Sequence, residues 1–429
     1  MKRVFGDYAY GPGPREGCWW DQTCDIPDMP ELGGTIRADV VVIGAGFTGL
    51  NAALTLAQGG AEVVVLEAEQ PGFGASGRNG GFCCLGGGYA NDAWLDKRFG
   101  TPERIAWRRA EVAAVAHVGD LIERHHWQVD RHSQGETLLA HCPMSLEDTA
   151  ALENYGVSPE YVEQHDLRSE GFGGKFHGAM TMPIGFGLNP RKYLAGLLDA
   201  VLAAGVRVFG GTRALALAPD VTSANGRVIA ERVILATNGY SSDDLPPWLN
   251  ARVMPAQSNI LVTRPLSPQE LAAQGWNTDQ MCFDTRNLLH YFRLLPDRRF
   301  LFGMRGGILS SARAEARARR AVRSSFERMF PAWSKVETQA AWSGMVAMAW
   351  GRMPFVGKLP DQERILAAMC FHGNGVAMGS YAGHLVGQLA LGNANVPRVM
   401  QEPLARFPLG RYRRLLMPPI YAGLRLLDR

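Results

Sequence analysis

Residues 38–67 read ADVVVIGAGFTGLNAALTLAQGGAEVVVLE, from Ala38 to Glu67. Val40–Ile43 is a β-branched apolar run too short for a helix, so it reads as a strand. The turn Gly44-Ala45-Gly46-Phe47-Thr48-Gly49 follows without a break. Leu50–Gln58 is then rich in Ala and Leu at helical spacing, and Gly59-Gly60 stops that helix. Val63–Leu66 is a second strand, ending at Glu67. Strand, glycine turn, helix, strand and an acid about 20 positions on make up a dinucleotide-binding fingerprint. Gly44 permits the tight turn, Gly46 lets a pyrophosphate reach the backbone, and Gly49 lets helix and strand pack closely. The helix N-terminus offers N–H groups and a positive dipole end to phosphates. Glu67 can accept from both ribose hydroxyls, and its charge would repel a 2′-phosphate, which argues against NADP. The fingerprint does not by itself choose between NAD and FAD.

Outward from this unit, two more glycine-rich stretches stand out. Pro71–Phe82 (PGFGASGRNGGF) brings backbone close to something flat or charged, with Arg78 and Asn79 as its polar members and Phe73 and Phe82 packed at its ends. Far downstream, Ile365–Cys370 is a strand, and Phe371-His372-Gly373-Asn374-Gly375-Val376 leads into a helix to Leu391. That second strand-to-helix turn is another anion or dipole site.

At 429 residues, two domains are expected. A charge of +3 on 44 basic and 41 acidic residues gives no case for nucleic acid. The basic run Arg313–Arg323 reads as a solvated helix face. The seven cysteines lack CxxC or Cys/His metal spacing, so no metal is expected and reduced thiols in a cytoplasm are. The N-terminus has no signal-peptide core, and no run of 18 apolar residues exists to span a membrane.

Helices are expected over Pro102–His126, Ser145–Tyr155 (a Ser–x–x–Asp start), Asn189–Ala204 and Arg313–Phe330. Trp127–His141 reads as a β-hairpin around Ser133-Gln134-Gly135, and Gly171–Gly187 as irregular. Strands are expected at Val206–Phe209, Ala214–Leu217, Arg227–Leu235, Arg252–Thr263 and, around a Pro296-Asp297 turn, Asn287–Phe302. Trp342–Gly357 matches neither period. Residues 1–36 read as an extended arm anchored by Trp19 and Trp20, and Leu415–Leu427 as an apolar, arginine-bearing tail packed on the body.

Four stretches, VVVIGAGFTGLNAAL (40–54), GFGASGRNGGF (72–82), VILATNGY (233–240) and FHGNGVAMGSYAGHLVGQL (371–389), together resemble the flavin-dependent amine oxidases of the D-amino-acid-oxidase superfamily. The branch they resemble holds the glycine/sarcosine oxidases and γ-glutamylputrescine oxidases, and the match in order and spacing runs over about residues 35–395. The resemblance implies an α/β (α+β overall) chain with a Rossmann-like FAD-binding domain and a discontinuous, mainly antiparallel β-sheet substrate domain. It implies FAD segments at 37–126, 188–250 and 341–395, substrate segments at 127–187 and 251–340, and the arm and a 396–429 tail outside both. Gly44 to Gly49 would meet the pyrophosphate, and Glu67 and Ala68 the ribose. Ser76, Gly77, Arg78, Asn79, Gly80 and Gly81 would lie along the cofactor toward its ring. Arg213 and Ala214 would meet the adenine, and Ala236, Thr237, Asn238 and Gly239 would close over it. Gly373, Asn374, Gly375, Val376, Ala377 and Met378 would bring a helix N-terminus to the flavin C2 carbonyl, where reduced flavin carries charge.

The fourth motif departs from the branch pattern Ser-Gly-His-Gly-Val, with Asn374 where His is expected. Ser76–Gly81 holds no His and Trp342–Gly357 no Cys, so non-covalent FAD is expected, with Cys83 and Cys84 the nearest thiols. The resemblance places substrate contacts among Phe82, His290, Tyr291, Arg293, Arg305, Met345, Met348 and Arg352. Tyr291, Arg305 and Arg352 are the catalytic candidates, Arg352 best placed by motif context. Each arginine could equally be an interdomain or surface residue, and Lys358 a surface lysine rather than an oxygen-site one. The implied reaction takes a hydride from the carbon beside an amine to flavin N5, water hydrolyses the imine, and oxygen or an electron acceptor takes the electrons. Flavin-dependent oxidation of a 2-hydroxy acid, or a non-catalytic FAD-binding assembly factor, are the alternatives.

Overall fold

The computed structural model describes residues 2–148, 150–393 and 395–428. The chain opens with an irregular arm whose 3-10 turns are Asp7–Tyr10 and Trp19–Gln22. Trp20 is buried and its indole N–H donates to the Asn79 carbonyl at 2.8 Å. Trp19 lies under the Arg299 guanidinium, 4.1 Å from its ring centre.

The nucleotide unit follows as β1 (Gly34–Ile43), α1 (Phe47–Gln58) and β2 (Val63–Leu66). Next come β3 (Phe82–Cys84), α2 (Asp92–Phe99), α3 (Thr101–Arg124), β4 (Glu136–Leu139), α4 (Ala151–Tyr155), β5 (Glu160–Glu163), β6 (Gly178–Met182) and β7 (Gly185–Gly187). The chain then returns through α5 (Pro190–Ala203), β8 (Arg207–Phe209), β9 (Val221–Thr222) and β10 (Gly226–Leu235). It leaves again through β11 (Met254–Thr263), α6 (Pro268–Gln274), β12 (Met281–Asp284), β13 (His290–Leu294), β14 (Phe300–Arg305), α7 (Ala312–Met329) and β15 (Thr338–Met348). Finally β16 (Phe355–Leu359), β17 (Gln362–Met369), α8 (Ala377–Leu391), α9 (Arg398–Gln401) and α10 (Met417–Leu427) complete it.

One sheet runs β16-β17-β10-β1-β2-β8 with β9 beside β10; its β17-β10-β1-β2-β8 centre is parallel. Val40, Val42, Val63 and Val65 point to one core with α1, α3, α5 and α8, while Val41, Ile43, Val64 and Leu66 point to another. That two-sided burial is why the strands read as unbroken apolar runs. Each fully buried valine stabilises by roughly 1.5–3 kcal/mol, which fixes the register. The second sheet, β15-β11-β14-β13-β12-β4-β6-β5, is antiparallel except where β4 joins β12. Its outer face packs an aromatic core, Phe292, Phe300, Phe302, Phe326, Phe330 and Trp333, against α7. Its inner face turns toward the nucleotide sheet.

Several local expectations are corrected. Trp127–His141 is not a hairpin: only Glu136–Leu139 is a strand, and its partners, β6 and β12, are distant in sequence. Long-range pairing won over the local turn signal at Ser133-Gln134-Gly135. The Ser145–Asp148 stretch caps no helix; Ser145 accepts from Glu147 N and Asp148 from Ala150 N as local turns, and the helix starts at Ala151. Thr149, within the expected helix, lies outside the described residues. Gly171–Gly187 carries β6 and β7, Ala214–Leu217 makes only an isolated bridge at Ala216, and Trp342–Gly357 holds the end of β15 and the start of β16. The second sheet therefore runs to Met348, past the boundary at 340 expected for the substrate segment. The tail forms α10, which packs Met417 and Tyr421 inward while Ile420, Leu426 and Leu427 stay exposed. No helix among the described residues is long and apolar enough to cross a membrane.

Candidate active site

The turn after β1 is held by its backbone. Gly44, at φ +109°, donates to the Leu66 carbonyl, and Ala45 donates to a Glu67 carboxylate oxygen at 2.9 Å. Glu67 also accepts from Glu69 N at 3.1 Å, and burial moves its carboxyl upward despite these bonds. Ser76 accepts from Phe47 N at 2.9 Å, which ties the second glycine loop onto the first turn of α1.

A long groove opens over this turn. Gly44, Gly46, Phe47, Thr48, Glu67, Ala68, Ser76 and Asn79 line it at one side, with Arg213, Ala214, Ala236, Thr237, Asn238, Gly239, Gly373 and Gly375 around the rest. Of the sequence candidates, Ala45, Gly49, Gly77, Gly81, Ala377 and Met378 stand behind this wall. Gly49 packs on Gly44, Gly77 on Gly72, and Gly81 on Leu188, so these glycines serve close packing. Asn238 and Cys370, both at positive φ, are locked together by the Cys370 N–H donating to Asn238 Oδ1 at 2.8 Å. Strain of this kind persists only where surrounding structure imposes it, and here it sits at the groove rim.

Sequence reasoning missed two contributions from the N-terminal arm and one from the motif's end. Arg3 and Tyr10 line the groove, with the Arg3 guanidinium 4.5 Å from the Tyr10 ring centre. Burial and the neighbouring Arg213 both lower Arg3's pKa, the signature of cations gathered where an anion would be welcome. Tyr240 also lines the groove, and its buried hydroxyl has no partner. The arm lacks periodicity, so only the long-range contact reveals it.

At Ala75, Asn79, Met345, Val346 and Gly373 the groove runs into a second cavity of about 380 Å³. Its walls carry Arg78, Gly80, Phe82, Tyr291, Arg305, Asn374 and Val376 from the sequence candidates. Arg78 is buried, donates to Phe73 O and Ser343 O, and keeps Nη2 unpartnered. Tyr291 shares a 2.9 Å hydrogen bond with Ser258, stands edge-on to Phe82, and burial pushes its phenol up to about 12. Arg305 donates through Nη2 to the His372 carbonyl at 2.8 Å, beside Tyr89. Tyr89 and His372 meet edge-on at 4.3 Å, and burial pushes His372 down to about 3, so it is a neutral ring. Asn374, in place of the expected His, donates to Leu85 O and contacts the Cys84 thiol, fixing the Leu85–Tyr89 loop.

Other candidates lie elsewhere. Arg352 is exposed at φ +65° and lines neither space; its carbonyl accepts from Tyr89 N. His290 is bonded to Asp284 at 2.8 Å and stacked on Phe302. Arg293 is fully buried on the far side of Gly81, donating to Leu188 O and His132, and burial lowers it to about 9. Met348 does not reach the cavity, and Lys358 is exposed on β16. Tyr89, His372 and Glu136 also line the cavity; His372 falls inside the fourth motif with no role assigned to it there, while Tyr89 and Glu136 gave no signal beyond a glycine-rich loop and an alternating strand.

The groove fits a dinucleotide. A helix N-terminus faces it, the Glu67 carboxylate lines it at the end of β2, and buried Arg78 Nη2 and the Tyr240 hydroxyl are polar atoms without a partner along its walls. Glu67→Ala should therefore weaken FAD binding by about 1–3 kcal/mol, measured by titrating the apoprotein with FAD. An unchanged affinity would remove Glu67 from the ribose.

The family model described as FAD dependent oxidoreductase matches residues 39–389. The chain is 32% identical over 393 residues to γ-glutamylputrescine oxidoreductase of Escherichia coli (strain K12), covering 89% of this chain and 90% of that one. It is 25% identical over 372 residues to glycine oxidase of Bacillus licheniformis, covering 83% and 94%. The fold matches the crystal structure of glycine oxidase from Geobacillus kaustophilus with a TM-score of 0.69 at 18% identity, over 86% of this chain and all of that one.

Proposed function

Because the chain belongs to the FAD dependent oxidoreductase family, we propose that it oxidises the C–N bond of a small primary or secondary amine or amino acid to an imine, which water then hydrolyses. The observation that carries this reading is the continuity of the nucleotide groove with a cavity whose inner wall presents Arg305 beside Gly373. FAD, when bound, supplies the two-electron acceptor, and oxygen or an electron carrier takes the electrons onward. The chain's own part is positioning. Arg305 offers a planar fork to a substrate carboxylate. Phe82 and Tyr291 form an aromatic wall, and the Leu85–Tyr89 loop lines another side of the cavity. Held in this way, the reacting C–H is oriented without a dedicated acid–base pair. A cavity that also carries a carboxylate, Glu136, suits a cationic amine better than an anionic 2-hydroxy acid.

We further infer that the cofactor is held without a covalent bond: Cys83 and Cys84 are buried and held protonated by that burial. The protein should purify with one FAD per chain, all of it released by acid or heat. A flavin that stays with the precipitated polypeptide would overturn this. The reaction class is tested by mixing the holoprotein anaerobically with a panel of amines and amino acids. Bleaching of the flavin absorbance is expected; bleaching by 2-hydroxy acids alone would sink the amine reading.

A further inference from the structure

The start of the N-terminal arm is stitched down beside the nucleotide groove. The Lys2 N–H donates to Asp244 Oδ1 at 3.0 Å, and the Lys2 carbonyl accepts from Asp243 N at 2.7 Å. Ser310 donates to the Gly6 carbonyl and accepts from Ala9 N. Held by these anchors, Arg3 and Tyr10 form part of the groove wall, and Tyr10 meets Tyr240 edge-on at 6.1 Å. Arg3 and Arg213 are the cationic side chains among the described residues that line the groove. Arg213 is paired with Glu69 at 3.0 Å. Arg3 makes no hydrogen bond or ion pair among the described residues, and its Nε is buried without an acceptor. Its guanidinium rests 4.5 Å from the Tyr10 ring centre, a contact that offers no lone pair to its N–H groups. Of the nearby carboxylates, Glu69 is taken by Arg213, Glu67 accepts from backbone N–H groups, and Asp7 is exposed outside the groove lining.

A guanidinium drawn partly out of water with no anion beside it is costly, and the cost falls if the ligand brings the anion. A dinucleotide brings a diphosphate, charged on each phosphate. The N-terminus of α1 presents only about half an elementary charge to it. Most of the anion's charge is left for side chains, and Arg3 has the planar fork that phosphate oxygens fit.

We propose that Arg3 pairs with the diphosphate of the bound dinucleotide, which makes the N-terminal arm a strap that holds the cofactor from outside the glycine fingerprint. The group recognised is a nucleoside diphosphate, and the pairing is independent of which substrate the flavin oxidises.

The test uses the FAD-loaded full chain. Release of FAD on dilution is followed by recovery of its fluorescence, and ADP and adenosine are compared as displacers of the bound FAD. The two displacers share the nucleoside and differ in the diphosphate, so the ratio of their potencies reports the anion. In the wild type, ADP should displace FAD at a lower concentration than adenosine does. Arg3→Gln should speed FAD release by about 10- to 100-fold, as expected for one lost charged hydrogen-bonded pair, and should shrink the ADP advantage by a similar factor. Arg3→Lys should recover part of both. An ADP advantage unchanged in Arg3→Gln overturns the proposal, whether or not FAD leaves faster; faster release alone would mean that Arg3 only holds the arm against Tyr10. Equal potency of ADP and adenosine in the wild type overturns it as well. If the ADP advantage depends on Arg3 yet no amine bleaches the flavin, the diphosphate pairing stands and the oxidase reading falls.

Discussion

Gly49→Ala should yield a chain that does not fold around FAD. A Cβ at position 49 would sit 1.8 Å from the Gly44 carbonyl oxygen, 3.0 Å from its carbon and 3.3 Å from Val42 Cγ1. The nearest obstacle is backbone, and that backbone is pinned by Gly44 N to Leu66 O and Ala45 N to Glu67. The helix cannot back away either, because α8 crosses it with Gly383 facing the Thr48 carbonyl and Gly387 facing Thr55. Overpacking that cannot relax costs more than about 3 kcal/mol, a large part of the usual 5–15 kcal/mol of total stability. Gly46→Ala makes the informative contrast. Its Cβ would meet only the Ser76 side chain, the hydroxyl at 2.7 Å, which can swing aside at the cost of its bond from Phe47 N, so the chain should fold but carry less FAD. Thermal unfolding and FAD content per chain separate the two. A Gly49→Ala protein with wild-type melting temperature and full flavin would refute the assignment of this turn.

The second large effect is expected at Arg305. Arg305→Ala should raise KM for an amine bearing a carboxylate by about 30- to 1000-fold, since removing the guanidinium strands a partly buried anion. A plain amine of similar size should lose far less, and kcat at saturation should fall less than kcat/KM. Arg305→Lys keeps the charge without the fork and should recover only part of the loss. Equal losses on both substrate types would mean that Arg305 acts through the His372 carbonyl it holds, supporting the loop rather than the substrate. Arg352→Ala, by contrast, should change either KM by less than about twofold, because Arg352 is exposed and outside the cavity lining.

The contrast between Arg305 and Arg352 shows what the sequence could and could not disclose. Around the nucleotide groove, each requirement is local: Gly44 needs positive φ, Gly49 needs no Cβ, and Glu67 follows its strand directly. Such demands leave residue types in a fixed order that can be read without the fold. The cavity beside the groove has no such grammar. It is one face of a sheet whose neighbours, β4 beside β12 and β11 beside β15, are far apart in sequence. Arg352 sat in a suggestive motif, yet a positive-φ turn carries it to the surface. Glu136 fell in a stretch mistaken for a hairpin, where an acid in an alternating strand looks like any solvated residue. Asn374 shows the same limit: its place in the motif was plain, but its bond to Leu85 O depends on a loop nearly three hundred positions away.

The way the two sheets share the chain bears on how the protein can be divided. β1, β2, β8, β9 and β10 are made before residue 250, but β16 and β17, which finish the same sheet, come after the whole of β11–β15. A fragment ending near residue 250 would leave Val233–Leu235 of β10 with a bare parallel edge where Ile365–Ala367 belongs, and α1 without α8. The remaining fragment would hold β11–β15 without β4–β6. Neither half is a module that can be borrowed for another protein, and a nick in any of the crossing segments would be tolerated only while both pieces stayed together. Co-expressed halves would therefore have to find each other before either could hold a nucleotide.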